Sequence, residues 1–115
     1  MTDQRVSAAP VKLWLDDHRK PPLEGGWYWA LDTEDAKQFL RENQVTEQSL
    51  DHDLDGSSDG LTLLVWEHDH RLVPYMTRVH TWNEIGATRM GAFLKDHRYQ
   101  HEVQPDPRPP GQEEP

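Results

Sequence analysis

VKLWLDD, residues 11–17, is a short and largely apolar run closed by two adjacent carboxylates. A run this short that ends abruptly in acid suits a buried strand with an acidic C-terminal end, because a helix needs a longer periodic stretch. Two later segments share the pattern: EQSLDHDL (47–54), with a strand ending near Asp51, and YMTRVH (75–80), whose alternation closes on His80. WYWAL (27–31) adds a fourth strand after a loop, RKPPLEGG, that Pro21, Pro22, Gly25 and Gly26 keep irregular. Helical spacing fills the intervals. DTEDAKQFLREN has Asp32 or Thr33 as N-cap and Ala36, Phe39 and Leu40 on one side. LTLLVWEHDHR places Leu61, Leu64, Val65 and His68 on one face, and NEIGATRMGAFLKDHR has Asn83 as cap with Ile85, Met90, Phe93 and Leu94 apolar. The order strand, strand, helix, strand, helix, strand, helix predicts an α/β domain with a mainly parallel sheet of about four strands.

In an open α/β sheet ligands bind beyond the C-terminal ends of the strands. LDDHR, LDHDLDG and VHTWN each follow a predicted strand, so residues far apart in sequence are expected to meet at one edge.

The bulk properties narrow the function. A chain of 115 residues and 13.4 kDa holds one domain. It is placed at residues 10–98, between a loose N-terminus (1–9) and a disordered, proline-rich acidic tail (99–115). Five of the nine prolines fall in PDPRPPGQEEP, which has no aliphatic residue. Mean hydropathy is −0.97, yet five tryptophans supply much burial from few positions. A net charge of −9 disfavours bulk binding to DNA or to anionic membranes, both of which need a positive field. An acidic protein can still take a phosphate through a divalent cation, which reverses the local sign. The absence of cysteine excludes thiolate chemistry and fits a reducing cytoplasm. There is no apolar run of membrane-spanning length and no signal-peptide core, so a soluble, cytoplasmic monomer or weak dimer is expected.

Each cluster has a bland reading beside the chemical one. Asp16 and Asp17 are either a solvated loop start or a pair whose repulsion a cation or an arginine relieves. DHDLDG matches the first half of a calcium loop through Asp51, Asp53, Asp55 and Gly56, but its twelfth position is Thr62, where the bidentate glutamate is required. Asp55 is assigned to the loop. His80 is either a hydrogen-bonded strand cap or a group for phosphate, proton or metal. His52, by strand alternation, is expected to point away from Asp51 and Asp53. HDHR (68–71) reads as a solvated helix end, and the tryptophans as core or loop anchors and not base-stacking platforms, since no basic residues interleave them.

With these clusters in view, the chain resembles the cyclic-phosphate-processing receiver-like domains, divergent relatives of response-regulator receivers. Members read LWLDDxRxPPxGW, SLDHDLG and HSxNPxGxxNM; this chain has LWLDDHRKPPLEGGW, SLDHDLDG and HTWNEIGATRM in the same order over about residues 12–90. Thr81 stands for the usual serine and keeps the hydroxyl, Glu84 stands for proline, and Arg89 for asparagine. The resemblance implies a receiver-like, flavodoxin-like three-layer sandwich truncated at its C-terminal side. It also implies a divalent-metal and phosphate site of Asp16, Asp17, Asp51 and Asp53, with His80 and Thr81 facing it. On that reading Mg²⁺ or Mn²⁺ is the cofactor. Asp51, His80 and Thr81 are catalytic, and Arg19 and Asn83 hold the ligand, a nucleotide or RNA-end phosphate of the kind met in RNA repair. The alternative is a non-catalytic or phosphoacceptor receiver-like module. Ordinary receivers need a lysine ending a fifth strand, and the residues after Arg98 are expected to offer no such strand.

Overall fold

The computed structural model describes residues 10–54 and 58–104. The expectations for residues 1–9, Asp55, Gly56 and the tail from residue 105 lie outside them. Five parallel strands, β1 (Val11–Leu15), β2 (Trp27–Ala30), β3 (Val45–Leu50), β4 (Met76–Val79) and β5 (His101–Val103), form one sheet in the order β2-β1-β3-β4-β5. Three helices connect them: α1 (Thr33–Glu42), α2 (Gly60–His70) and α3 (Glu84–Asp96). This is the expected α/β receiver-like arrangement with one strand more than the four expected. Nothing apolar announced β5, whose three residues pair with Thr77, Arg78 and Val79 through backbone groups. Bonds from Thr77 N to Gln100 O and from Gln104 N to Val79 O frame it, and it carries the sheet past Arg98.

The connections β2-α1-β3, β3-α2-β4 and β4-α3-β5 all step in the same direction across the sheet, so right-handed crossovers place the three helices on one face. There Leu13, Leu15, Leu50 and Val79 meet Ala36 and Leu40 of α1, Leu63 and Leu64 of α2, and Met90 and Leu94 of α3 in a single buried cluster. The other face carries Lys12, Trp14, Glu47, Ser49 and Arg78, register neighbours on β1, β3 and β4. Arg78 bonds to Glu47 at 2.7 Å and to Glu102 there. Of the three layers expected, the described residues form two, the sheet and one layer of helices. No helix among them is long and apolar enough to cross a membrane.

Side-chain N-caps start the helices: Asp32 accepts from Asp35 N, Asp59 from Thr62 N and Asn83 from Gly86 N. Two helices are rotated relative to expectation. In α3 the buried stripe is Gly86, Met90 and Leu94, while Ile85 is 67% exposed. Gly86 takes the inward position because a Cβ there would come within 2.4 Å of the His52 ring. In α2 the inward residues are Gly60, Leu63, Leu64 and Glu67, and Val65 faces out. His68 is not solvated with its neighbours; it is half-buried, its Nδ1 2.7 Å from the Tyr99 hydroxyl.

Glu67 is wholly buried, and Gln48 Nε2 donates to its Oε1 at 2.7 Å and to Thr77 Oγ1 at 3.1 Å. Burial pushes the Glu67 carboxyl up from 4.5 to about 8, the Gln48 bond offsetting only part of the effect. A protonated Glu67 is also a donor, which complements the two atoms otherwise without partners here, Glu67 Oε2 and Gln48 Oε1. The unfolded chain loses this proton above pH 4.5 and the folded one keeps it to about 8, so stability falls as pH rises across that window and levels off above it. In denaturant titrations from pH 5 to 8 the native protein should lose up to about 1.4 kcal/mol per pH unit from this group. Glu67→Gln, which keeps an acceptor for Gln48 Nε2 but does not titrate, should lack that slope; an unchanged slope would place the titrating group elsewhere.

Candidate functional site

Leu15, Leu50 and Val79 are register partners across β1, β3 and β4, and the next residue on each strand is Asp16, Asp51 or His80. The backbone continues the ladder one rung, with Asp51 N donating to Leu15 O and His80 N to Leu50 O, both at 2.9 Å. Three sequence-distant side chains therefore stand side by side at the C-terminal edge. They lie where the chain leaves β1 for one side of the sheet and later enters β3 on the other, the switch point at which such sheets bind ligands.

Asp16 is the hub. Its Oδ1 accepts from the backbone N–H groups of His18 (2.8 Å) and Arg19 (2.9 Å), and its Oδ2 from Arg19 Nε (2.8 Å) and His80 Nε2 (3.0 Å). Burial alone would raise this carboxyl; the His80 bond, the two backbone donors and the Arg19 charge outweigh it and hold it at about 2. Two tryptophans tie down the loop that Asp16 organises. Trp14 Nε1 donates to Arg19 O at 2.7 Å, and Trp29 Nε1 to Asp16 O at 2.6 Å. Farther on, the loop turns back into β2 through Gly25 and Gly26, at φ 106° and 70°, where a Cβ would be strained.

His80 is buried, stacked on Trp14 with ring centroids 4.0 Å apart. Its Nδ1 lies 2.6 Å from Ser49 Oγ, and Asp16 takes the other nitrogen. Ser49, His80 and Asp16 thus have the atoms of a nucleophilic triad, but Ser49 is 1% exposed and no substrate carbon or phosphorus reaches it. Both nitrogens being engaged, His80 supports Asp16 from below instead of facing a ligand directly.

Arg19 spans the edge. Besides Asp16 it bonds His80 O through Nη2 (3.2 Å) and lies 3.3 Å from Asp51 Oδ1, while Nη1 is buried without a hydrogen-bond partner. Asp51 also accepts from His52 N at 2.8 Å. Burial is the main cause that raises its carboxyl above the ordinary value, with the Asp16 charge adding and Thr81, Arg19 and His80 opposing.

A pocket of about 380 Å³ opens here, lined by Asp16, His18, Arg19, Asp51, Asp53, Thr81 and Trp82. Asp16, Asp17 and Asp51 each offer an oxygen within 4.8 Å of the others, a hard-oxygen set able to bind a metal ion. Asp53 stands apart from that trio. Its exposed carboxylate accepts from Asn83 Nδ2 (3.1 and 3.3 Å) and meets His52 Nδ1 at 2.7 Å, a bond that, ahead of the Asn83 contact, lowers its pKa. His52 therefore turns toward Asp53, contrary to expectation, because β3 ends at Leu50 and strand alternation no longer applies. Asn83 has its Oδ1 committed to capping α3.

Sequence reasoning did not single out Ser49, Trp14, His18 or Trp82. Ser49 and Trp14 each lie two residues before an edge carboxylate, so strand parity was the available signal. Trp82 lies with Arg19 at 4.8 Å from its ring centroid, a cationic partner distant in the chain that no local pattern reveals.

A family model described as the cyclic-phosphate processing receiver domain matches residues 11–96. No curated protein matches the chain. The match runs from the first residue of β1 to the last of α3 and takes in every edge residue described above, and the chain belongs to the family of cyclic-phosphate processing receiver domains.

Proposed function

We propose that this domain hydrolyses cyclic phosphates of nucleotides or RNA ends at the C-terminal edge of its sheet, with the help of Mg²⁺ or Mn²⁺. The observation that carries this reading is the composition of one pocket: Asp16, Asp51 and Asp53 beside the guanidinium of Arg19 and the hydroxyl of Thr81. Three carboxylates against one arginine repel a phosphate, so a cation is needed to reverse the local field.

The donor set favours a hard cation, because every candidate ligand is a carboxylate oxygen. Asp16 is the poorest ligand of the trio, since four N–H donors already use its lone-pair directions. Asp17 and Asp51 are left to hold the ion, with Asp16 fixing the loop behind them. Such an ion supplies charge neutralisation and a more acidic water.

The chain's own groups do the rest. Arg19 and Thr81 line the pocket beside the carboxylates, and the guanidinium supplies a fixed positive charge for a phosphate oxygen. Water adds to phosphorus, one phosphorus–ribose oxygen bond breaks, and the freed oxygen gains a proton. The water's proton passes to an edge carboxylate and from there to the freed oxygen. His80 acts by fixing Asp16, and Asn83 by restraining Asp53 at the rim. A cytoplasmic setting accords with a cysteine-free chain acting on nucleotides.

The phosphoacceptor reading is second. It would use Asp51 as the acceptor, but no lysine follows Lys95, so the fifth strand lacks the charge that ordinary receivers place at its end. The two readings part on incubation with 2′,3′-cyclic AMP and Mn²⁺. Formation of adenosine monophosphate, lost by a factor of about 100 or more in Asp51→Asn, is expected from removal of a carboxylate that holds the ion. No turnover of any cyclic phosphate, together with a stable aspartyl phosphate after acetyl phosphate treatment, would favour the receiver reading.

A separate measurement addresses the ion. Mn²⁺ should raise the melting temperature, and Asp17→Asn or Asp51→Asn should remove the rise. Arg19→Gln should tighten Mn²⁺ binding several-fold, since a competing positive charge leaves the edge; weaker Mn²⁺ binding in that variant would contradict the assignment.

A further inference from the structure

We propose that Trp82 is the specificity-determining residue of the pocket, a stacking platform for a nucleobase that makes the preferred substrate a nucleotide and not a base-free cyclic phosphate. This rests on the reading of the pocket as a phosphate-ester site. Trp82 lines the same pocket as Asp51 and Thr81 and is 40% exposed. Its neighbours fix its backbone. Thr81 is buried and accepts from Asn83 N through Oγ1 at 3.2 Å, and Asn83 caps α3 through Gly86 N at 2.8 Å. A platform pinned on both sides loses little freedom when a ring settles on it.

Arg19 joins the platform to the phosphate subsite. Its guanidinium carbon lies 4.8 Å from the Trp82 ring centroid, and its Nε and Nη2 are held by Asp16 and the His80 carbonyl. The group that grips phosphate and the ring that can receive a base are therefore immediate neighbours, as phosphate and base are within one nucleotide. A pocket of about 380 Å³ is larger than a lone phosphate needs and falls in the range of small-ligand sites. Trp14 and Trp29 do not line this pocket, and their indole N–H groups donate to loop carbonyls. Stacking on an aromatic ring tolerates any base, so the expected preference is for nucleotides as a class.

Calorimetry on the full chain with fixed Mn²⁺ tests this with two probes, adenosine 3′-monophosphate and glycerol 2-phosphate. The native protein should bind the nucleotide about tenfold more tightly, within the range that one base–aromatic stack supplies. Trp82→Ala should abolish that preference by weakening nucleotide binding about tenfold more than glycerol 2-phosphate binding, and Trp82→Phe should retain most of it. An equal loss for both probes in Trp82→Ala would show that the indole only supports Arg19, and would overturn the proposal. Equal affinity for the two probes in the native protein would overturn it while leaving the phosphate site intact. Binding of neither would remove the phosphate-ester reading and the proposal with it.

Discussion

The functional edge depends on the Asp16 carboxylate and the four N–H groups that converge on it. Two donors come from the loop backbone, one from Arg19 and one from His80. A buried carboxylate is costly unless its charge is compensated and its lone pairs are filled, and here both conditions are met by groups that the site then uses. The bonds fold the His18–Arg19 turn back onto the strand end, lay the guanidinium across toward Asp51, and set the His80 ring against Trp14. Removing this one carboxylate would leave a half-buried arginine and a buried histidine without their shared acceptor.

The sheet supplies the rest by register. Parallel strands ending on the same rung place Asp16, Asp51 and His80 in a row whatever the lengths of the intervening loops. The helix-facing side is closed by aliphatic packing, with one polar exception where Gln48, Glu67 and Thr77 meet. That exception is tolerable because Glu67 sheds its charge instead of finding a counter-ion. Asp16 and Glu67, two of the buried acids, thus reach opposite solutions. Asp16 stays ionised because cations and donors surround it, and Glu67 stays neutral because only an amide does.

How legible this was in the sequence depends on how local the cause is. β1 and the caps at Asp32 and Asn83 could be read from short patterns, because turn chemistry and apolar runs act within a few residues. β5 could not, since HEV has no hydrophobic signature and exists through backbone pairing with β4. Ile85 was misplaced because the rotation of α3 is set by Gly86 giving way to His52, a contact between segments far apart in the chain. At the site, the convergence of the acids followed from strand ends alone. The division of labour among them did not: Asp16 saturated by donors and Asp53 held at the rim by His52 and Asn83 are facts of tertiary hydrogen bonding. His80 was legible as important but not as a buried support, because nothing local shows both of its nitrogens to be occupied.

The position of the positive charge separates this site from an ordinary phosphoacceptor. A receiver brings its lysine from the end of the fifth strand, whereas here that strand ends in Glu102 and Val103, followed by Gln104. The edge instead draws its cation from Arg19, three residues beyond the first acid, and Asp16 holds it there. A guanidinium is a planar fork suited to two phosphate oxygens, while a lysine is a single point charge on a flexible stem. The guanidinium of Arg19 lies over the Trp82 ring at 4.8 Å and lines the pocket. Moving the cation from the strand end to the first loop thus places it beside an aromatic face at the pocket, the pairing on which the proposed nucleotide preference rests.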